Sequence, residues 1–187
     1  MDKYKARPLA KGYNQIAGID YVDSFSPVAK LVTVRMFIAI ATTNSWPLHQ
    51  LDINNAFLHA FITEELYMQP PEGYDKAKLG KVCKLLRSLY GLKQASRQWN
   101  KEFTTKLIKY GFVQSPNDHC PFTKHTSYSL TALMVYVDDV LLTGTHETDI
   151  IAVKQFLRAE FTIKDLGYAK YYLGNEISRS SIGTSLN

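Results

Sequence analysis

The 187-residue sequence predicts an α+β chain, with helices packed on one face of a sheet. Two patterns lead to that class. β-rich runs and segments of helical period alternate, yet they lack the regular strand–helix rhythm of a doubly wound parallel sheet. Hydrophobic residues make up 45% of the chain and aromatics 12%, enough to fill a real core and too many for a disordered tail.

The elements follow in order. Lys3, Lys5, Arg7 and Lys11 alternate so that a strand would carry them on one face, either as a solvated edge or as a phosphate-facing strip. Val34, Phe37, Ile38 and Ala41 recur at helical spacing, with Thr33 as the expected N-cap and Asn44 as the stop. Residues 48–53 read as a short strand, followed by Asn54-Asn55 and a brief helical stretch, AFLHAF. After Pro70-Pro71-Glu72-Gly73 and a lysine-rich turn, a strand runs through Val82, Lys84 and Leu86. The clearest helix places Ala95, Trp99, Phe103 and Leu107 every four residues and stops at Gly111. Its other flank carries Arg97, Lys101, Lys106 and Lys109, a solvated face that would also suit a helix lying along nucleic acid. Residues 130–143 are β-rich, and a last helix over 148–161 is expected to turn Ile151, Phe156 and Leu157 inward. FTIKDLG and KYYLGNEIS close the chain as a turn and a further hairpin.

Composition excludes several classes. Twenty-two Lys and Arg against 17 Asp and Glu give a formal charge of +5, a mild tilt toward polyanionic partners. Two cysteines, Cys83 and Cys120, cannot form a disulfide scaffold and point to a reduced, intracellular chain, in cytoplasm or nucleus. His119-Cys120 and His125 lack zinc-knuckle spacing and read as structural. The apolar run 36–41 has six residues, where a membrane span needs about 20, so no membrane partner is expected. The abrupt basic start suggests a piece of something longer.

One feature breaks local rules. Asp138 and Asp139 lie together between two strand-forming runs, where a two-residue hairpin would prefer Asn-Gly or Asp-Gly. At about 4 Å and an effective dielectric near 20, their repulsion is on the order of 4 kcal/mol. No Lys or Arg stands between Lys124 and Lys154 to relieve it. Protonation, a distant cation or a hard divalent ion such as Mg²⁺ would do so. Asp52, set between Leu51 and Ile53, is the candidate third acid, since a charge among apolar neighbours needs a partner.

The strings KARPLAKGYNQ, FSPVAKLVTVR, LHQLDINNAFLHA, SLYGLKQASRQW, LMVYVDDVLLTG and KDLGYAKYYLG occur in this order. Together they resemble copia-type retrotransposon reverse transcriptases over almost the whole chain, from about residue 5 to about residue 180. The resemblance implies a polymerase palm, with antiparallel sheet and packed helices, plus a partial fingers subdomain: a right-hand polymerase lacking its thumb. It makes the chain one fragment, with 1–47 and 54–90 mostly fingers and 48–53 and 91–187 mostly palm. The implied activity is RNA-directed DNA polymerisation, a two-metal nucleotidyl transfer from a dNTP to a primer 3′-hydroxyl using Mg²⁺ or Mn²⁺.

Carried over residue by residue, Asp52, Asp138 and Asp139 become the catalytic and metal-binding acids, with the carbonyl of Ile53 as a further ligand. Phe57 matches an aromatic gate that would exclude a ribose 2′-hydroxyl; a plain core phenylalanine is the alternative. Arg7 and Lys11 match the fingers cations, and Tyr90, Gly91, Lys93 and Gln94 the block over nucleotide and template. Tyr172, Leu173 and Gly174 resemble the primer-gripping hairpin. The implied partners are an RNA or DNA template with its primer, dNTPs, and the thumb and RNase H regions of a longer Pol polyprotein. Departures exist: Pro8 interrupts the fingers strand and Asn175 replaces an expected apolar residue. A catalytically silent remnant that binds nucleic acid, or only folds, is the alternative reading. A nucleotidyl cyclase-like palm enzyme is disfavoured by the ordered blocks.

Overall fold

Strand pairing organises the computed structural model, which describes residues 8–71, 73–74, 80–173, 175–180 and 183–186. In chain order the elements are α1 (Leu31–Thr43), β1 (Leu48–Ile53), α2 (Ala56–His59), β2 (Tyr67–Met68), β3 (Cys83–Lys84), α3 (Ala95–Lys109), β4 (Val113–Gln114), β5 (Pro121–His125), β6 (Leu130–Tyr136), β7 (Asp139–Gly144), α4 (Glu147–Glu160), β8 (Ile163–Tyr168), β9 (Tyr171–Tyr172), β10 (Asn175–Ser180) and β11 (Gly183–Leu186). The backbone divides into two compact units: Met1–Ser26 with Ala56–Glu102, and Pro27–Asn55 with Phe103–Asn187.

The second unit holds a six-stranded antiparallel sheet in the order β4-β5-β6-β7-β1-β8. Alternation along β1 sends Leu48, Gln50 and Asp52 to one face and His49, Leu51 and Ile53 to the other. On the first face, Val34, Ile38 and Ala41 of α1 pack with Leu48, Met134, Leu141 and Tyr172. The opposite face meets α4, whose Lys154 Nζ lies 2.9 Å from Nδ1 of the buried His49. Helices therefore cover both faces, not one as the sequence predicts. Helical periodicity marks the inward side of each helix but not the sheet face it meets, and on α4 that inward side includes Lys154.

Other expectations shift for equally local reasons. Lys30 rather than Thr33 occupies the N-cap position of α1, with no side-chain capping bond, and the Thr33 hydroxyl donates to Asp118 Oδ2 at 2.5 Å. Asn44 ends it as expected, its N–H on Ile40 O. The inward residues of α4 are Ile150, Val153, Lys154 and Leu157, while Ile151 is exposed. Helix α3 matches its period: Ala95, Trp99, Phe103 and Leu107 are all buried. Among the described residues near the start, the expected basic strand reduces to one parallel bridge, Leu9 to Tyr90, followed by a 3₁₀ turn at Gly12–Asn14. Lys3, Lys5 and Arg7 lie outside the described residues.

In the first unit, two backbones approach closely. A Cβ on Gly12 would lie 1.9 Å from the Gly91 carbonyl oxygen, and one on Gly91 2.1 Å from the Ala10 oxygen. Gly91 also has φ +92°, open to glycine at no steric cost. Ala10 N–H donates to Tyr90 O at 2.8 Å in the same crossing. Gly12→Ala should therefore destabilise the protein by at least about 2 kcal/mol, the range of overpacked sites, seen as a lower urea midpoint; an unchanged midpoint would show that the crossing opens freely.

Candidate active site

Antiparallel pairing of β1 with β7 sets Asp52 directly opposite Asp139. Directly opposed residues point to the same face, with Cβ atoms about 4.5–5.5 Å apart. The hairpin between β6 and β7 pairs Tyr136 with Asp139, so its two-residue connection is Val137-Asp138. That differs by one residue from the Asp138-Asp139 turn expected from sequence. The residue forced into the left-handed region is Val137, at φ +55°, an outlier for a β-branched side chain. Asp138 is held through its backbone, the Ile53 N–H donating to its carbonyl at 2.8 Å. Asp52, Asp138 and Asp139 are half-buried, and Ile53 is buried.

The electrostatics follow from this arrangement. The Asp139 carboxyl is raised above the usual carboxylate range, first by burial, then by the charge of Asp138, with Asp52 adding to it. The Gln50 side chain works in the other direction. Sequence reasoning passed over Gln50, although its place two residues before Asp52 on one strand face was there to be used. Lys164 was also missed. It pairs with Asp52 from β8, so a row of Asp139, Asp52 and Lys164 crosses three strands on one face. Lys164 brings a positive charge to this row from 112 residues along the chain, where local inspection of the aspartate pair could not find it.

Among the described residues, no three His, Cys, Asp or Glu side chains converge closely enough to hold a metal ion as they stand. The chemistry of the donor set nevertheless fits a hard divalent cation. Carboxylates brought close together, with Asp139 raised by the charges of the other two, are the oxygen ligands such an ion takes.

The other expected residues fall in two groups. In the first unit, Phe57 and Tyr90 pack with ring centroids 4.6 Å apart and planes tilted by 55°. Gln94 is buried and its carboxamide is engaged on both sides, accepting from Gln15 Nε2 at 3.0 Å and donating to Asp20 O at 3.1 Å. Lys93 is exposed and its N–H donates to Gln15 Oε1 at 2.8 Å. Lys11 lines a cavity of about 650 Å³ with Gly12, Gln15, Asp20, Tyr67 and Leu92. In the second unit, Tyr172 is buried in the core, its hydroxyl 3.5 Å from Asp139 O. Leu173 follows at φ +49°. Arg7 and Gly174 lie outside the described residues.

The class that these features define is supported by comparison with known proteins. The whole chain, residues 1–187, matches the family described as reverse transcriptase (RNA-dependent DNA polymerase). It is 43% identical over its full length to the retrovirus-related Pol polyprotein from transposon RE1 of Arabidopsis thaliana, covering 13% of that protein. It is 42% identical to the corresponding RE2 polyprotein of the same plant, again over the full chain and 13% of the relative. Over 98% of the chain it is 40% identical to the Pol polyprotein from transposon TNT 1-94 of Nicotiana tabacum, covering 14% of it. No solved structure matches. The chain belongs to the reverse transcriptase family, in the group of copia-type retrotransposon Pol polyproteins.

A raised carboxyl pKa has a definite sign for stability. The folded protein binds the Asp139 proton more tightly than the unfolded chain does, so the penalty is absent below the unfolded value of about 3.9 and grows as pH rises through the folded value. In EDTA, Asp139→Asn should raise the melting temperature at pH 7, by about 2–4 °C per kcal/mol of repulsion relieved. The gain should vanish below about pH 4; a gain of equal size at both pH values would remove charge repulsion as its cause.

Proposed function

We propose that this chain is the fingers–palm part of an RNA-directed DNA polymerase that extends a primer 3′-hydroxyl with dNTPs on an RNA or DNA template. The observation that supports it most is the opposition of Asp52 and Asp139 on neighbouring strands, with Asp138 one residue away in the hairpin. Residues 1–47 and 54–90 are assigned mostly to fingers and 48–53 and 91–187 mostly to palm, with α1 the fingers-side segment that packs on the sheet.

Asp52, Asp138 and Asp139, with the Ile53 carbonyl, would hold two Mg²⁺ or Mn²⁺ ions. When bound, such ions make the 3′-hydroxyl more acidic and neutralise charge on the phosphates. The protein's own part is to hold three carboxylates close together at one end of the β1–β7 ladder. The strands fix their Cα positions, so only side-chain rotation remains. Phe57, braced by Tyr90, would crowd a ribose 2′-hydroxyl. Lys11 and Lys93, with Arg7, would attract the triphosphate, and Tyr90, Gly91 and Gln94 would border the nucleotide. Tyr172, Leu173 and Gly174 would seat the primer end, Tyr172 by filling the core beneath it. The thumb and RNase H regions of a longer Pol polyprotein would hold the primer-template. Without their phosphate contacts affinity falls steeply, so synthesis by this chain alone would be weak and distributive.

A second reading, a silent remnant that binds nucleic acid or only folds, is favoured by two observations. The three carboxylates do not converge as they stand, and the Gln94 amide is consumed by protein partners. Primer extension on an RNA template with Mg²⁺ or Mn²⁺ separates the two. Extension that Asp138→Asn reduces at least about 100-fold, close to 3 kcal/mol of barrier, supports the polymerase. Binding of primer-template without extension supports the remnant. In an active chain, Phe57→Ala should admit ribonucleotides, measured as the ratio of kcat/KM for rNTP and dNTP. An unchanged ratio returns Phe57 to the core.

A further inference from the structure

On the face of β1 that carries Asp52, the remaining residues are Leu48 and Gln50. Leu48 is fully buried in the α1 core, whereas Gln50 is half-buried and polar. Gln50 pairs with Leu141, two residues along the ladder from the Asp52–Asp139 pair, which makes Gln50 and Asp139 diagonal neighbours. Its side chain lies on the same face within reach of the Asp139 carboxylate and favours its charged form. The carboxylate can only accept, so the amide is the group that can donate. On the β8 side, the register shifts between His49 and Leu51, with the extra residue on β8, where Leu166 and Gly167 stand opposite Gln50. Leu141, directly opposite, has no polar side-chain atom and cannot compete for the amide.

We propose that Gln50 is a positioning residue, which holds the Asp139 carboxylate in a fixed direction toward Asp52 and Asp138 by donating its amide N–H. The proposal deepens the polymerase reading and rests on it for its purpose. An amide suits this task in a way that a cation would not. A lysine or arginine at position 50 would orient Asp139 but cancel the charge needed to attract a divalent ion. A carboxamide orients the group and leaves the charge in place. It also satisfies one of the half-buried oxygens, which would otherwise be left without a donor. Because Asp139 is aimed by Gln50 and Asp138 by the Ile53 N–H, two residues of one strand would prepare both acids of the hairpin for the third.

The test is a double-mutant cycle on the full chain, with Gln50→Leu and Asp139→Ala singly and together, read as melting temperature in EDTA. Non-additivity of about 3 °C or more is expected, because the second substitution removes nothing once the first has broken the contact. Gln50→Met serves the same cycle where Gln50→Leu folds poorly. With Mn²⁺ alone as probe, electron paramagnetic resonance titration should show Gln50→Leu binding the ion about three- to tenfold more weakly. In an active chain, kcat should fall about tenfold while KM for dNTP stays within about twofold, a split that general loss of packing would not produce. Additive melting temperatures overturn the proposal whatever the polymerase activity. Non-additive ones in a chain that cannot extend a primer leave Gln50 as a positioner of Asp139 and remove the polymerase reading instead.

Discussion

Strand β1 is hydrogen-bonded along both edges, to β7 and to β8, and every feature of the candidate site depends on that. A strand paired on both sides cannot slip by one residue without exchanging its two faces. Here a slip would take Leu48 off the α1 face and Leu51 and Ile53 off the α4 face, all essentially fully buried, and take Asp52 off the face that it shares with Asp139. The hydrophobic ladder therefore enforces a polar geometry that local electrostatics oppose.

The opposite face of the sheet adds a polar lock on the same strand. His49 accepts from Lys154 and stacks on Tyr168 with ring centroids 4.9 Å apart, while Lys154 reaches Asp165 at 3.1 Å. Arg158 joins Asp165 at 3.3 Å, and Glu147 lies 3.5 Å from His49 Nε2. Burial, reinforced by the Lys154 charge, lowers the His49 pKa and keeps the ring neutral, free to accept at Nδ1. Interactions of this kind are costly to break singly, because each leaves an unpaired buried group. Together they join β1, β8 and α4 from beneath, three residues away from Asp52. A polar lock on one face and the candidate site's Asp52 on the other thus share a single six-residue strand.

The candidate site carries strain as well as charge. Val137 occupies a backbone region that β-branched residues avoid, and it does so at the hairpin that delivers Asp138 and Asp139. In the first unit the tight features are of another kind. Gly12 and Gly91 let two backbones cross at a distance no side chain would allow, and Gln15, Gln94 and Asp20 tie the same crossing with hydrogen bonds. Gln94 is thereby a scaffold residue first, whatever else it meets.

Much of this was legible in the residues. The α3 period, the β-rich hairpin, the conflict at Asp138-Asp139 and the oddity of Asp52 all follow from spacing and charge, because they are properties of neighbours along the chain. Ordered sequence blocks carried the family. Pairing partners were not legible, since hydrogen bonds between strands leave no trace in local periodicity. So the turn moved to Val137-Asp138, Lys154 turned inward to meet His49, and Lys164 and Gln50 came to flank the acids only through the order β7-β1-β8. The amino-acid order by itself determined which side chains bring the charge; the tertiary register alone decided which of them meet, because contact between distant residues is set by the packing of the whole sheet.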